Sequence, residues 1–212
     1  MNKKINTFEV TKGSISDLDI IYPKFQKHFP ENERKSFSQL KELMNKGSYK
    51  LLLVKTRDMQ EVVIGYAFIY CIDDPKALWL DYIAINEEYQ NKGIGSMVFN
   101  HLVNCRSDEC LGMFMEIEKV VDNDLNQKKR IAFYERLGAV NLGMKYLLPT
   151  DEGGYDMHLF FRIFGKTNTL CSTTIKKAIK STHNYIHSDI NEREYIYNCF
   201  KDDIKDIDLQ SL

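Results

Sequence analysis

The stretch "ALWLDYIAINEEYQNKGIGSMVFNHLV", residues 77–103, narrows most what this chain can fold into. Its first part is a near-continuous apolar run, as expected of a central strand buried on both faces. A short polar loop follows, and then Gly93 and Gly95 bracket Ile94 at the start of a helical pattern. That pattern places Ile94, Met97, Val98, His101, Leu102 and Cys105 along one side. Glycines let a backbone approach a ligand closely, and the amides that open a helix have no intrahelical partners. With the helix dipole they make an anion site suited to phosphate oxygens. The loop matches neither G-x-x-x-x-G-K-[ST] nor G-x-G-x-x-G, so a tight strand-to-helix turn with no ligand stays an equal alternative at this point.

Around this stretch the periodicity predicts alternating elements. Residues 5–11 read as a first strand. Ser16 is the expected N-cap of a helix with apolar residues at Leu18, Ile21 and Phe25, shortened or kinked by Pro23. "FPENER" is a turn into a second helix, "SFSQLKELMNKG", stopped by Gly47. "YKLLLVKT" and "VVIGYAFIYCI" are strands joined by the turn "RDMQE". After the glycine loop, "GMFMEIEKV" is a strand and "QKKRIAFYERLG" a helix ending at Gly138. "AVNLGMKYLLP" and "YDMHLFFRIF" are strands again. The order indicates a mixed α/β domain over residues 1–165, followed by a helical extension over 166–212.

The composition of these 212 residues excludes several classes. An apolar fraction of 43% indicates a folded core rather than disorder. A net charge of −1 supplies no global basic field for nucleic acid. No apolar run approaches the roughly 18 residues of a membrane span, and the first residues lack the apolar segment of a signal peptide. Five cysteines, at 71, 105, 110, 171 and 199, form no C-x-x-C pair and fit scattered reduced thiols in a cytoplasmic protein.

"LDYIAINEEYQNKGIGSMVFNHLV" resembles motif A of the GCN5-related N-acetyltransferases (the GNAT family), whose loop follows Q/R-x-x-G-x-G/A. Here the loop is Gln90, Asn91, Lys92, Gly93, Ile94 and Gly95. "RIAFYERLGA" is similar to the family's second signature, a tyrosine-bearing helix followed by a leucine-glycine turn. The resemblance spans roughly residues 5–163. It implies the GNAT fold, with a mixed central sheet of about six or seven strands flanked by helices. It also implies that backbone groups of Ile83, Ala84 and Ile85 bind the pantetheine of acetyl-CoA, and that amides from Asn91 through Ser96 hold its pyrophosphate. Lys92 is either an added charge at that phosphate or a solvated lysine.

Acetyl transfer to an amine needs a base for the amine proton and an acid for the leaving thiolate. In "FMEIEKV", strand alternation puts Glu116 and Glu118 on one face. That face is either a solvated edge or a catalytic one. The local pattern resembles the ribosomal-protein N-terminal-alanine acetyltransferases, which implies that Glu116 is the base. Tyr134 matches the family tyrosine that protonates the coenzyme thiolate, although an aromatic at this spacing also suits a core. The family often has an asparagine seven residues before that tyrosine; this chain has Gln127, with Asn126 beside it.

Asp81 breaks the apolar fourth strand and must be paired, cleft-facing or catalytic, with a structural or substrate-orienting role expected. Glu33 and Arg34 lie where the family's early helices roof the acceptor site, and Tyr146 is the expected contact from the opposite wall. Glu118 is a further substrate-side candidate. His183 and His187 have H-x-x-x-H spacing but no companion ligands, so they are expected to be solvated, and no metal is expected.

These readings converge on an acyl-CoA-dependent N-acetyltransferase acting by direct attack in a ternary complex. The acceptor is a primary amine on a small molecule or a protein. A catalytically inactive CoA-sensing module fits the same glycine loop. A partner-binding protein working through its extension is the third reading, and the tyrosines there also suit a homodimer contact.

Overall fold

The computed structural model describes residues 8–57, 61–104, 107–165 and 168–210. The start of the expected first strand, the centre of the "RDMQE" turn and Cys105 lie outside them. Two units divide the chain, and β3 and β4 below run through both. One unit comprises Met1–Ile69 and Asp81–Cys105, the other Tyr70–Leu80 and Arg106–Leu212.

The first unit begins with β1 (Phe8–Lys12), followed by α1 (Leu18–His28), α2 (Phe37–Asn45) and β2 (Tyr49–Thr56). Next come β3 (Val63–Ile72), β4 (Ala77–Ile85) and α3 (Ile94–Asn104). β1 lies antiparallel to β2. Leu18, Ile21 and Phe25 are buried on one side of α1, as their spacing predicts. The helix start is not at Ser16. Ser14 precedes a short 3-10 turn, and its amide and hydroxyl both donate to Asp17, which also holds the Asp17 carboxyl below its ordinary pKa. Pro23 does not shorten α1, which runs 11 residues. Ser36 caps α2 reciprocally with Gln39, and Gly47 takes the left-handed φ of +91° that ends it.

The second unit holds β5 (Gly112–Glu118), α4 (Leu125–Arg136), β6 (Val140–Asn141), β7 (Tyr146–Thr150) and β8 (Gly153–Ile163). It continues through β9 (Thr169–Leu170), α5 (Ser172–Ile186), α6 (Arg193–Asn198) and β10 (Ile207–Asp208). The strand order is β1-β2-β3-β4-β5-β8-β6, with β7 also paired to β8, which makes a mixed sheet of eight strands. β4 and β5 are parallel, whereas β5, β6 and β7 each run antiparallel to β8. The sheet exceeds the expected strand number because "AVNLGMKYLLP" is two strands. Gly143, at φ +63°, turns the chain between them, and its amide donates to Asn141 Oδ1.

The C-terminal residues are helical, as expected, and α5 buries Ile175, Ala178, Ile179, Thr182, His183 and Ile186 at helical spacing. Phe200, just beyond α6, lies 5.6 Å from the ring of Tyr146. No described helix is long and apolar enough to cross a membrane.

Candidate active site

In the first unit, β4 leads through a short 3-10 turn into the glycine loop. Asn91 at φ +59° and Gly93 at φ +78° reverse the chain directly before α3. A β-carbon built on Gly93 would meet no heavy atom within 4 Å, so the space beside the turn is open. The amides of Ile94, Gly95 and Ser96 open α3 and have no carbonyl one turn behind them. This is the backbone arrangement a pyrophosphate needs, and the residues present fit acetyl-CoA there. Gln90 Nε2 donates to the Ile85 carbonyl at 2.8 Å, tying the loop back to the end of β4. Lys92 is turned onto its own loop, donating to the Glu88 carbonyl at 2.6 Å with its ammonium over the Tyr89 ring. Ile83, Ala84 and Ile85 are half-buried at the end of β4. Gly65 of β3 sits against them, because a β-carbon there would stand 2.7 Å from the Ala84 carbonyl oxygen. Sequence reasoning missed Gly65, although a glycine inside "VVIGYAFIY" signals close backbone approach.

The acceptor-side candidates of this unit are engaged with the protein. Arg34 donates to the carbonyls of Gln26 and Phe29 and so closes the end of α1. Glu33 is exposed, and its carbonyl accepts from the Tyr82 hydroxyl at 2.7 Å. Asp81 is paired: Lys35 Nζ lies 3.2 Å from one carboxylate oxygen, and Tyr49 donates its hydroxyl to the same atom. Burial, reinforced by Asp81, raises the Tyr49 pKa well above its ordinary value, so the phenol stays a donor. Lys35 also stands over the Tyr82 ring. Its pairing with Asp81 crosses 46 positions of sequence, which no local pattern reveals.

In the second unit, the parallel β4–β5 ladder runs from Leu78↔Met113 to Leu80↔Met115. Glu116 is the next residue of β5 and pairs with Leu159 of β8. Its carboxylate accepts from Trp79 Nε1 at 3.3 Å and from the Tyr146 hydroxyl. Tyr146 is fully buried. Its place is therefore behind Glu116 rather than on an open acceptor wall. Glu118 shares the face of Glu116, as alternation predicts, and forms an ion pair with Arg130 of α4.

Tyr134 is buried near the end of α4. Burial raises its pKa to about 12, with Arg130 opposing and Glu118 adding to the rise. It is a phenol that keeps its proton at neutral pH. Gln127 does not stand free in the asparagine's place, because its side-chain oxygen accepts from the Val121 amide at 2.8 Å. Asn126 is in the first turn, where its amide and that of Gln127 donate to the capping Asp124.

A family model described as an acetyltransferase (GNAT) domain matches residues 48–138. The fold is that of the GNAT family. No curated protein matches it in sequence. Among solved structures, a GNAT-family protein from Bacteroides thetaiotaomicron is similar at 20% identity, over 84% of this chain and 97% of its own, with a TM-score of 0.69. Arabidopsis thaliana NAA60, solved with a bisubstrate analogue, is similar at 16% identity, over 75% and 100%, with a TM-score of 0.60. A chimera of the spermidine N-acetyltransferase SpeG from Vibrio cholerae and hSSAT follows at 19%, over 74% and 95%, with a TM-score of 0.57. At these identities the likeness is one of fold.

The matched segment contains the glycine loop, Asp81, Glu116, Glu118 and Tyr134, whereas Tyr146 and His183 lie beyond it. The expectation of solvated histidines fails here, since His183 and His187 are 2% and 8% exposed. His183 falls on the inward face of α5 and His187 directly follows the helix, a covering that the lysines on the other side of α5 hide from composition. Among the described residues, no group of three or more candidate ligands could hold a metal. Burial lowers the His183 pKa to about 4, with the Arg193 backbone opposing. The unfolded chain therefore takes up this proton first. The stability owed to a neutral His183 is complete above pH 6.5 and is lost as pH falls towards 4. Between pH 7 and 5 the loss should be about 2 kcal/mol. Urea denaturation of His183→Gln should show a correspondingly smaller difference between those two pH values, while His28 and His158, also lowered by burial, contribute equally to both proteins.

Proposed function

We propose that this chain is an acyl-CoA-dependent N-acetyltransferase that moves an acetyl group from acetyl-CoA to a primary amine by direct attack in a ternary complex. The observation that carries this reading is the left-handed turn at Asn91 and Gly93, which opens α3 toward free space inside a GNAT-matched segment. Backbone amides of Asn91 through Ser96 would hold the pyrophosphate, and backbone groups of Ile83, Ala84 and Ile85 the pantetheine. Acetyl-CoA supplies an activated thioester carbonyl.

Glu116 takes the proton that the acceptor amine loses on attack. Hydrogen bonds from Trp79 and Tyr146 fix the plane of the carboxylate that receives that proton. Tyr134 returns a proton to the departing thiolate, for which its raised pKa keeps the phenol protonated at working pH. Asp81, Arg34 and Glu118 are each held by the pairs described above, and Glu33 remains the exposed acceptor-side carboxylate.

The test is thiol release from acetyl-CoA with a panel of amines: spermidine, which the name of the Vibrio cholerae neighbour supplies, amino-acid amides, and peptides with free N-termini. Amine-dependent release with at least one member is expected. Tight acetyl-CoA binding with no release across the panel would instead identify a coenzyme-sensing module.

A further inference from the structure

We propose that His183, on α5, is a positioning residue for Glu116 and acts through the Tyr146 hydroxyl. Its catalytic meaning rests on the reading of Glu116 as the base. The geometry is a chain of three groups from three elements of one unit. Tyr146 Oη donates to Glu116 Oε1 and lies 3.3 Å from His183 Nε2. Trp79 holds the other carboxylate oxygen.

A phenol has one proton. With that proton on Glu116, Tyr146 presents only lone pairs to His183, so the histidine must carry hydrogen on Nε2. The Nδ1 atom then bears a lone pair, and it is a buried atom without a hydrogen-bond partner. The Arg193 backbone approaches the ring without reaching Nδ1 in hydrogen-bond geometry. The titratable rings around His183 are Tyr146 from β7, Tyr197 from α6 and His187 from just beyond its own helix, with centroids 6.0, 6.1 and 6.1 Å away. Phe200 closes the remaining side at 6.3 Å. In this enclosure a neutral Nε2–H donates to the Tyr146 oxygen, and that bond prevents the phenol from turning its own proton away from Glu116. The residues following the GNAT-matched segment thereby set the orientation of a carboxylate inside it.

The experiment follows Glu116 directly, in the full-length chain without coenzyme, by carbon-13 NMR of carboxyl-labelled glutamate. The Glu116 signal is assigned by its absence in Glu116→Gln. A carboxylate that loses a fixed donor titrates at higher pH. The midpoint should rise by about one pH unit in both Tyr146→Phe and His183→Phe. It should return in His183→Gln, whose amide offers an N–H at a similar reach. The acidic limb of kcat/KM should move in the same direction and be restored by the same variant, with acetyl-CoA Kd unchanged. If Tyr146→Phe moves the midpoint and His183→Phe does not, or if His183→Gln fails to restore it, the proposal is wrong. A midpoint that responds as expected while Glu116→Gln keeps full turnover overturns the base assignment and leaves the hydrogen-bond chain standing.

Discussion

Glu116→Gln is expected to lower turnover by about 10²–10⁴-fold while acetyl-CoA affinity stays nearly constant. An amine acceptor such as a lysine has an ordinary pKa of about 10.4 and is mostly protonated at neutral pH, so attack requires that a proton leave. Glutamine keeps the shape of the side chain but cannot take that proton. It also meets its neighbours badly. Trp79 and Tyr146 both donate to the carboxylate, and an amide has only one oxygen with which to receive them. Glu118→Gln is the matched control. It breaks a partly exposed ion pair with Arg130, which is worth little, and should leave turnover within a few-fold of the parent. Raising the pH should partly rescue Glu116→Gln, because the free amine then forms without help. Initial rates across pH 6–10 for both variants, with acetyl-CoA affinity by calorimetry, decide the matter. A silent Glu116→Gln beside a damaged Glu118→Gln would reverse the assignment of the two carboxylates.

What was legible in the sequence follows from how local its cause is. The strand, turn and helix around Gly93 could be read because a left-handed turn, an apolar run and a helical apolar spacing are each encoded within a few residues. The end of α2 at Gly47 was legible for the same reason. Competing local donors made Ser14 and Ser16 harder to separate: they lie two apart, and only the reach of Asp17 decides between them. The single strand expected over 139–149 failed at Gly143, whose left-handed turn the apolar pattern on either side conceals.

The polar partners of the candidate site were illegible. Lys35 and Asp81 are brought together by packing, not by spacing, and Tyr146 reaches His183 across 37 positions. A histidine on a lysine-rich helix reads as solvated unless one knows which face is covered. In this chain the covering comes from β7, α6 and Phe200, none of which the sequence near His183 announces. The alternation of β5 did place Glu116 and Glu118 on one face, but it could not say that one would meet Trp79 and the other Arg130.

Gly93→Val should abolish detectable acetyl-CoA binding, a loss of about 100-fold or more in affinity if the side chain fills the phosphate position. Two effects must be separated. At φ +78° any residue with a β-carbon is strained, by roughly 1–2 kcal/mol, and a branched one fares worst. That strain falls on stability. The second effect falls on binding alone: the valine methyls would enter the open space beside the turn, where no heavy atom of the chain lies within 4 Å of the new β-carbon. Gly47→Val separates the two, because Gly47 also has a positive φ, +91°, and open space around it, yet lies at the end of α2 away from the loop sequence. It should lose comparable stability and keep its coenzyme affinity. Gly95→Val should join Gly93→Val, since both residues belong to the same run of loop amides. In the unsubstituted protein, a 3′,5′-ADP fragment should slow hydrogen exchange at Asn91 through Ser96. Calorimetry on a folded Gly93→Val protein that still binds acetyl-CoA with parental affinity would remove the phosphate cradle, and with it the reason to place the coenzyme at this turn.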